Sequence, residues 1–569
     1  MRLPLNKKEI FVLFLGILFL VLGIVTWSTF ATIYLSGVKA NLQFFQNKDT
    51  SLGLAAFQYT HPAMTNIMKF YFFNLTNPDE VKYNAAKPCL VEIGPFAVRE
   101  SEEKKYIEFN GDSTQMFYQN YKKYILNKEN SCEDCDWNMN LLFPNPPGLG
   151  AVGSMIDPRF NITKTGRTII AIGLTLLGEY PFTSHKVREV LFDGYEDPFL
   201  SAAHSGIISI ISGIYAGPGK SIIPIPVPEM KKFGYFQGYN NSRDEEYWVE
   251  TGKRDTNKIG KIDKWGGQTK LPADWWTTDF ARQIRGSDSG SFTQMHLTEE
   301  STSDFFFSFM CRSFTKTYYS TQIFQSIPTL GFHVGYDEWD TTSDKNIGFR
   351  YRNVEKRNYF PDWPSCPPKG QCKQSGSIDC SKSENFCHAC CDGSHYNGTY
   401  LLPPGMFPLV CYPGRLQPSP FSVIYSPPHY LFSPPETRTT VIGMNPDQQK
   451  HEPMIYFHEP FSGTTLQVTN RLQVNMPVIK SHDVPSSQNM PNVVIPLFWQ
   501  ESIPVLDQFI YNTAWFGFVL VPRLVTIIQF VEIVIGILLI VVIIVFRYRR
   551  REKPFILTNH YNFENENVN

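Results

Sequence analysis

The sequence predicts an α+β membrane protein: an antiparallel sheet or barrel with short helices, held between two membrane-spanning helices. Three observations carry this reading. Two long uncharged apolar runs lie near the two ends of the 569-residue chain. All 11 cysteines fall between them, as do the Asn-x-Ser/Thr sequons at Asn74, Asn161, Asn240 and Asn397. The span between is a succession of short β-branched and aromatic runs broken by Gly, Pro and Asn, a pattern of antiparallel strands rather than of a βαβ repeat.

The first apolar run, Ile10 to Leu35, rises about 39 Å as a helix at ~1.5 Å per residue, enough to cross a hydrocarbon core of about 30 Å. It exceeds the ~7–15 apolar residues of a cleaved signal peptide, so it reads as an uncleaved anchor. The second run, Leu524 to Phe546, is framed by Arg523 and by Arg547, Arg549, Arg550, Arg551 and Lys553, while Arg2, Lys7 and Lys8 precede the first. Positive charge marks the cytosolic side, so both termini point inward. The predicted organisation is a cytosolic start (1–9), a span (10–35), an outer domain (36–522), a second span (523–546) and a cytosolic tail (547–569). Gln529 and Glu532 fall inside the second span. An acid at a helix centre costs at least ~2.5 kcal/mol on insertion scales. The pair therefore predicts a contact with Thr26 or Ser28 of the first span or with a second copy of the chain; hydration near the outer interface is the alternative.

Cysteines and sequons confined to the outer span predict an oxidising, glycosylating compartment. Cys366, Cys372, Cys380, Cys387, Cys390 and Cys391 crowd an insert (366–391) poor in apolar residues, which disulfides would stabilise. Cys387, His388 and Cys390 raise a zinc knuckle as the alternative, but the compartment and the lack of a second clean CxxC at the expected spacing favour disulfides, and no metal is expected. Cys132 and Cys135 read as a surface disulfide, since no thioredoxin-like pattern surrounds them.

Along the outer domain, Lys39 to Asn74 reads as helix from the three- and four-residue spacing of Phe44, Phe45, Leu52, Leu54 and Phe57. Cys89–Val98, Phe233–Tyr239 and Phe305–Phe309 read as strands. Between Ser154 and Asp193 a compact apolar helix is expected, carrying Ile169, Ile170, Ile172, Leu174, Leu176 and Leu177, with Lys164 and Arg167 before it and His185 and Lys186 after it. Gly206 to Ala216 is too short to span a bilayer and reads as buried or as a channel wall. The proline-dense stretch 403–435 reads as extended segments and turns.

Several segments resemble the class B scavenger receptor family: FYFFNLTNP (70–78), KPCLVEIGPF (87–96), FDGYEDPF (192–199), IRGSDSG (284–290), FMCRS (309–313) and FHEPFSGTTLQVTNRLQVNMPV (457–478). They occur in family order across nearly the whole chain. The resemblance implies an antiparallel β-barrel, a helical apex at about 154–188, and an internal apolar tunnel leading toward the bilayer. It implies a Cys311–Cys411 disulfide and ligand capture at the apex by basic side chains, here Lys164, Arg167, His185 and Lys186. A second family cysteine is absent around Phe280–Ala281, and the cytosolic ends lack cysteines for palmitoylation. Glu552-Lys-Pro-Phe-Ile-Leu is a loose acidic dileucine-type sorting signal.

The near-neutral balance, net charge -1 and pI near 6.9, leaves no electrostatic footprint for nucleic acid. At 18% charged and 15% aromatic residues the composition suits a protein that handles apolar material, as it does a large core. The expected function is binding of fatty acids, sterols or phospholipids, of lipoprotein particles or of a protein ligand at the apex, with lipid uptake through the tunnel. The alternative is an endolysosomal sorting receptor or lipid exporter; homo-oligomers are left open. No cofactor or nucleotide-binding loop is expected. A tethered ectoenzyme is disfavoured: Asp288-Ser289-Gly290 has the wrong surroundings for a protease serine, and neither G-x-S-x-G nor H-E-x-x-H occurs.

Overall fold

The computed structural model of the chain describes residues 6–62, 64–155, 162–178, 180–206, 231–341, 343–349, 402–419, 423–480 and 484–551. Its chain divides into two compact units, Met1–Ala40 with Tyr511–Asn569, and Asn41–Ile510.

The first unit is a pair of helices. One runs Lys7–Leu42; the other continues through Gln508–Trp515, a π turn at Phe516–Leu520, and Val521–Arg551. Both are long and apolar enough to cross a membrane, and with their basic flanks they fit a membrane protein with both termini cytosolic. Each helix outruns the apolar stretch read from sequence, because helical hydrogen bonding does not stop where the apolar residues do. Small residues bring the two backbones together. A Cβ added at Gly536 would stand 2.9 Å from the Gly16 carbonyl oxygen, and one at Gly23 2.8 Å from Ile533 Cγ1. Tyr34 donates to Gly517 O at 2.9 Å and Arg550 pairs with Glu9 at 3.1 Å. Gln529 Nε2 donates to the Thr26 carbonyl at 3.1 Å. Glu532 instead keeps one buried carboxyl oxygen without a partner among the described residues.

The second unit is built on a 14-stranded sheet. We number the strands of its main path β1 (Met64–Leu75), β2 (Leu90–Phe109), β3 (Gln115–Leu126), β4 (Ser242–Glu250), β5 (Ile262–Trp265) and β6 (Ser287–Asp288). They continue as β7 (Ser303–Phe307), β8 (Arg312–Phe324), β9 (Ile327–His333), β10 (Met454–His458), β11 (Thr465–Val478) and β12 (Val493–Leu506). Neighbours in the sheet are then neighbours in the chain, with β12 returning to pair with β1. Every pair along the path is antiparallel except β6–β7. The edges β5 and β6 meet through a single bridge, Lys261 to Ser287, and Ile262 N–H donates to Gly286 O at 2.9 Å. The result is a nearly closed barrel, which leaves little unpaired edge.

Side chains alternate across such strands. On β1, Met68, Phe70 and Phe72 are buried at every second position. That two-residue period overrides the helical reading of Lys39–Asn74: the chain is helical only to Leu42 and over Leu54–Thr60, and β1 begins at Met64. Strand also covers less of Phe233–Tyr239 than expected, ending at Phe233 before a series of turns. Gly286 is required where β6 meets β7: its φ is +78°, and a Cβ there would lie 1.9 Å from Asp304 O.

In the proline-dense stretch, Phe407–Pro408 pairs with Ile424–Ser426, which is laid against β11. Pro428–Tyr430 and Pro435–Arg438 form short helical turns. The strands Asn140–Pro144 and Phe182–Lys186 pair, and among the described residues between them are the helices Pro146–Ser154 and Lys164–Leu176. The second is capped by Thr163, whose hydroxyl accepts from Gly166 N–H at 3.1 Å.

Candidate functional site: a lined cavity with an ionic waist

The second unit contains a cavity of about 310 Å³. Much of its wall is apolar, with Leu42, Met68, Phe309, Leu466, Val468 and Ile510 among the contributors. One stretch is not. Glu100, Glu102 and Lys104 occupy alternate positions of β2, so one pleat turns all three to the same side, and all three line the cavity. Lys122 on β3 sits directly opposite Glu102 in the ladder.

These charges are paired. Lys104 Nζ contacts Glu102 and lies 4.6 Å from the Tyr59 ring and 5.3 Å from the Tyr118 ring. Lys122 Nζ is 3.0 Å from Glu100 and 3.6 Å from Glu102. Burial pushes Glu102 upward, but Lys104 and then Lys122 outweigh it and hold its carboxyl at about 2. Across the barrel, Asp288 on β6 also lines the cavity. It accepts from Tyr118 at 3.3 Å, and Tyr118 shares a 2.8 Å hydrogen bond with Tyr59. Burial raises the Asp288 carboxyl above its ordinary value, and burial with the nearby Asp288 charge raises that of Asp244 well above.

Ser289 does not form a catalytic arrangement. Its hydroxyl donates to its neighbour Asp288 at 3.0 Å, and among the described residues no histidine bonds to it. Behind Gly290, Lys316 is fully buried, and burial lowers its amine to about 7. Its Nζ lies 3.2 Å from His458 Nε2 and 4.2 Å from the Tyr456 ring centre.

The segment expected to form the apex presents a split helix. Ile170 and Leu174 are buried; Ile169 and Leu177 are half-buried; Ile172 and Leu176 are exposed, Leu176 to 82%. Of the basic residues, Lys164 is exposed, Arg167 is turned back onto Ile162 O at 3.4 Å, and Lys186 faces Glu189 at 3.9 Å. His185 stacks on Tyr195 with ring centres 3.7 Å apart, and burial lowers its imidazole below the ordinary value. It is thus a poor source of positive charge near neutral pH.

Cys311 is bonded to Cys411 and Cys132 to Cys135, while Cys89 is unpaired among the described residues. Cys366, Cys372, Cys380, Cys387, Cys390 and Cys391, with Asn161, Asn397 and Gly206–Ala216 apart from its first residue, lie outside the described residues. Asn240 is exposed; Asn74 is half-buried in β1, its Oδ1 accepting from Leu142 N–H at 2.8 Å.

Sequence reasoning missed the ionic waist, because SEEKK at 101–105 looks like a solvated charge run. The legible signal was the two-residue spacing of Glu100, Glu102 and Lys104, with a cation in the next strand.

The family model of the CD36 family matches residues 14–547. The chain belongs to the CD36 family. An uncharacterized protein of Caenorhabditis elegans is 46% identical over 96% of this chain and 98% of its own length. Scavenger receptor class B member 1 of Mus musculus is 26% identical, over 95% of this chain and 90% of the relative. Lysosome membrane protein 2 of Rattus norvegicus is 26% identical, over 79% and 76%. A membrane receptor of the CD36 family accounts for the two candidate spans, the barrel and the disulfides together, and two of the named relatives are a scavenger receptor and a lysosome membrane protein.

Proposed function

We propose that this CD36-family protein is a non-enzymatic lipid receptor whose second unit lies outside the cytosol and takes lipid into the barrel cavity. The observation that carries the reading is the lined cavity inside the barrel unit. Its wall includes Leu42 and Ile510, residues at the two chain ends of that unit. An apolar conduit spares a lipid about 0.8 kcal/mol of aqueous exposure per methylene. Transfer would run down a gradient. Capture of a lipid particle or a protein ligand falls to the helix Lys164–Leu176, supported by the exposure of Ile172, Leu176 and Tyr180 and of Lys164 at the start of the helix.

The test is uptake of fluorescent lipid by cells expressing the chain, together with surface staining of the outer domain. Met68→Trp, which places an indole where a cavity-lining side chain stands, is expected to abolish saturable uptake while surface staining persists. Unchanged uptake would sink the tunnel reading. A chain retained inside cells would move the endolysosomal reading to first place, in keeping with the relative named lysosome membrane protein 2 and the tail sequence Glu552-Lys-Pro-Phe-Ile-Leu.

A further inference from the structure

The charges lining the cavity bear on which lipid it takes, an inference that rests on the lipid-receptor reading above. Among the described lining residues the cations are Lys104 and Lys122, and the anions are Glu100, Glu102 and Asp288. Both ammonium groups are already engaged: Lys104 by Glu102, and Lys122 by Glu100 and Glu102. Glu100 also accepts from Asn66 Nδ2 at 3.1 Å. Asp288 has no cation of its own at ion-pair distance among the described residues; its partners are the hydroxyls of Tyr118 and Ser289. Beyond the wall, Asp244 adds a further carboxyl with one buried oxygen unpartnered, and on the wall Gln58 offers an uncharged amide donor, its Nε2, without a partner among the described residues.

Among its charged groups the described lining therefore has carboxyls in surplus over cations, and neither cation is uncommitted. An anionic headgroup arriving there meets three carboxyl groups. It gains an ammonium only by taking it from Glu100 or Glu102, which would strip that carboxylate of a salt-bridge partner inside the cavity. A hydroxyl or an ammonium group meets acceptors instead. We propose that the cavity selects lipids whose polar end donates hydrogen bonds and carries no negative charge.

The experiment uses the purified full-length chain in detergent and three probes sharing one C18 chain: oleyl alcohol, oleylamine and oleyl sulfate, whose charge does not titrate. Alcohol and amine are expected to bind at least roughly tenfold more tightly than the sulfate, the scale on which an uncompensated like charge discriminates. Glu102→Gln, which releases Lys104 from its partner, and Asp288→Asn, which removes the carboxylate lacking a cation, should each narrow that ratio several-fold. Asp288→Asn breaks no ion pair, so it carries the test if Glu102→Gln does not fold. Sulfate binding as tight as alcohol binding, or a ratio that no folded variant moves, would overturn the selectivity. Binding of none of the three probes would overturn the lipid-receptor reading itself, a separate result from equal binding of all three.

Discussion

The cavity waist and the helix Lys164–Leu176 break the inside–outside rule in opposite senses. At the waist, Lys104 is nearly fully buried, with 4% of its side chain exposed, amid Glu102, Tyr59 and Tyr118. On the helix, Leu176 stands 82% exposed and Ile172 54%. The first arrangement survives because each ammonium has a carboxylate across or along the strand; the second has no comparable support within the fold. A buried pair is held by its partner, so removing one member is expensive. An exposed apolar side chain makes few contacts within the fold, so its removal costs little, and on the function proposed above it is free to meet a docking ligand. The difference teaches that the buried charges are tied to the stability of this protein, whereas the exposed apolar residues are not.

The comparison can be broken most directly at Lys104. Lys104→Ala is expected to lower stability by about 3–5 kcal/mol, because Glu102 and Asp288 stay behind with less compensation. The joint change Glu102→Gln with Lys104→Met should recover most of that loss, measured by denaturant unfolding. Equal losses in the single and joint variants would mean that packing, not pairing, sets the cost.

Acid sharpens the comparison through histidines. His451, 2% exposed and stacked on His429 at 4.3 Å, is held down to about 3 by burial and by the charges of His429 and Lys450. A base with a depressed pKa in the folded state stabilises above its unfolded value, near 6.5, and loses that contribution as pH falls toward 3. At pH 5 the loss is about 2 kcal/mol. His451→Gln should flatten the fall of thermal stability between pH 7 and pH 5. His185→Gln, at a half-buried site beside the exposed helix, should flatten it less, and the opposite ranking would refute the assignment.

The smallest stability effect is expected at Leu176. Leu176→Ser should change unfolding free energy by no more than about 0.5 kcal/mol, while weakening capture of whichever particle or protein docks on this helix. A large loss of stability would show that the residue belongs to the fold after all.

The two spans were legible in the sequence because the bilayer demands long uninterrupted apolar runs, a signal that needs no tertiary context. The strand-rich second unit and the helix around Ile170 and Leu174 were legible for a similar reason, since local periodicity reports them. The family resemblance, carried by segments such as IRGSDSG and FMCRS, by itself implies the barrel and the Cys311–Cys411 bond.

What only the tertiary structure decided depended on partners distant in sequence. Lys39–Asn74 became strand from Met64 onward because β1 pairs with β2 on one side and with β12, the last strand of the sheet, on the other. The closing bridge between Lys261 and Ser287 joins segments no local pattern connects. SEEKK became an ionic waist because β3 sets Lys122 against Glu102 and Tyr118 of the same strand donates to Asp288 of β6. A charged run is solvent-seeking on its own; only the closure of the barrel decides which of its faces is inside, and burial then forces those charges to pair.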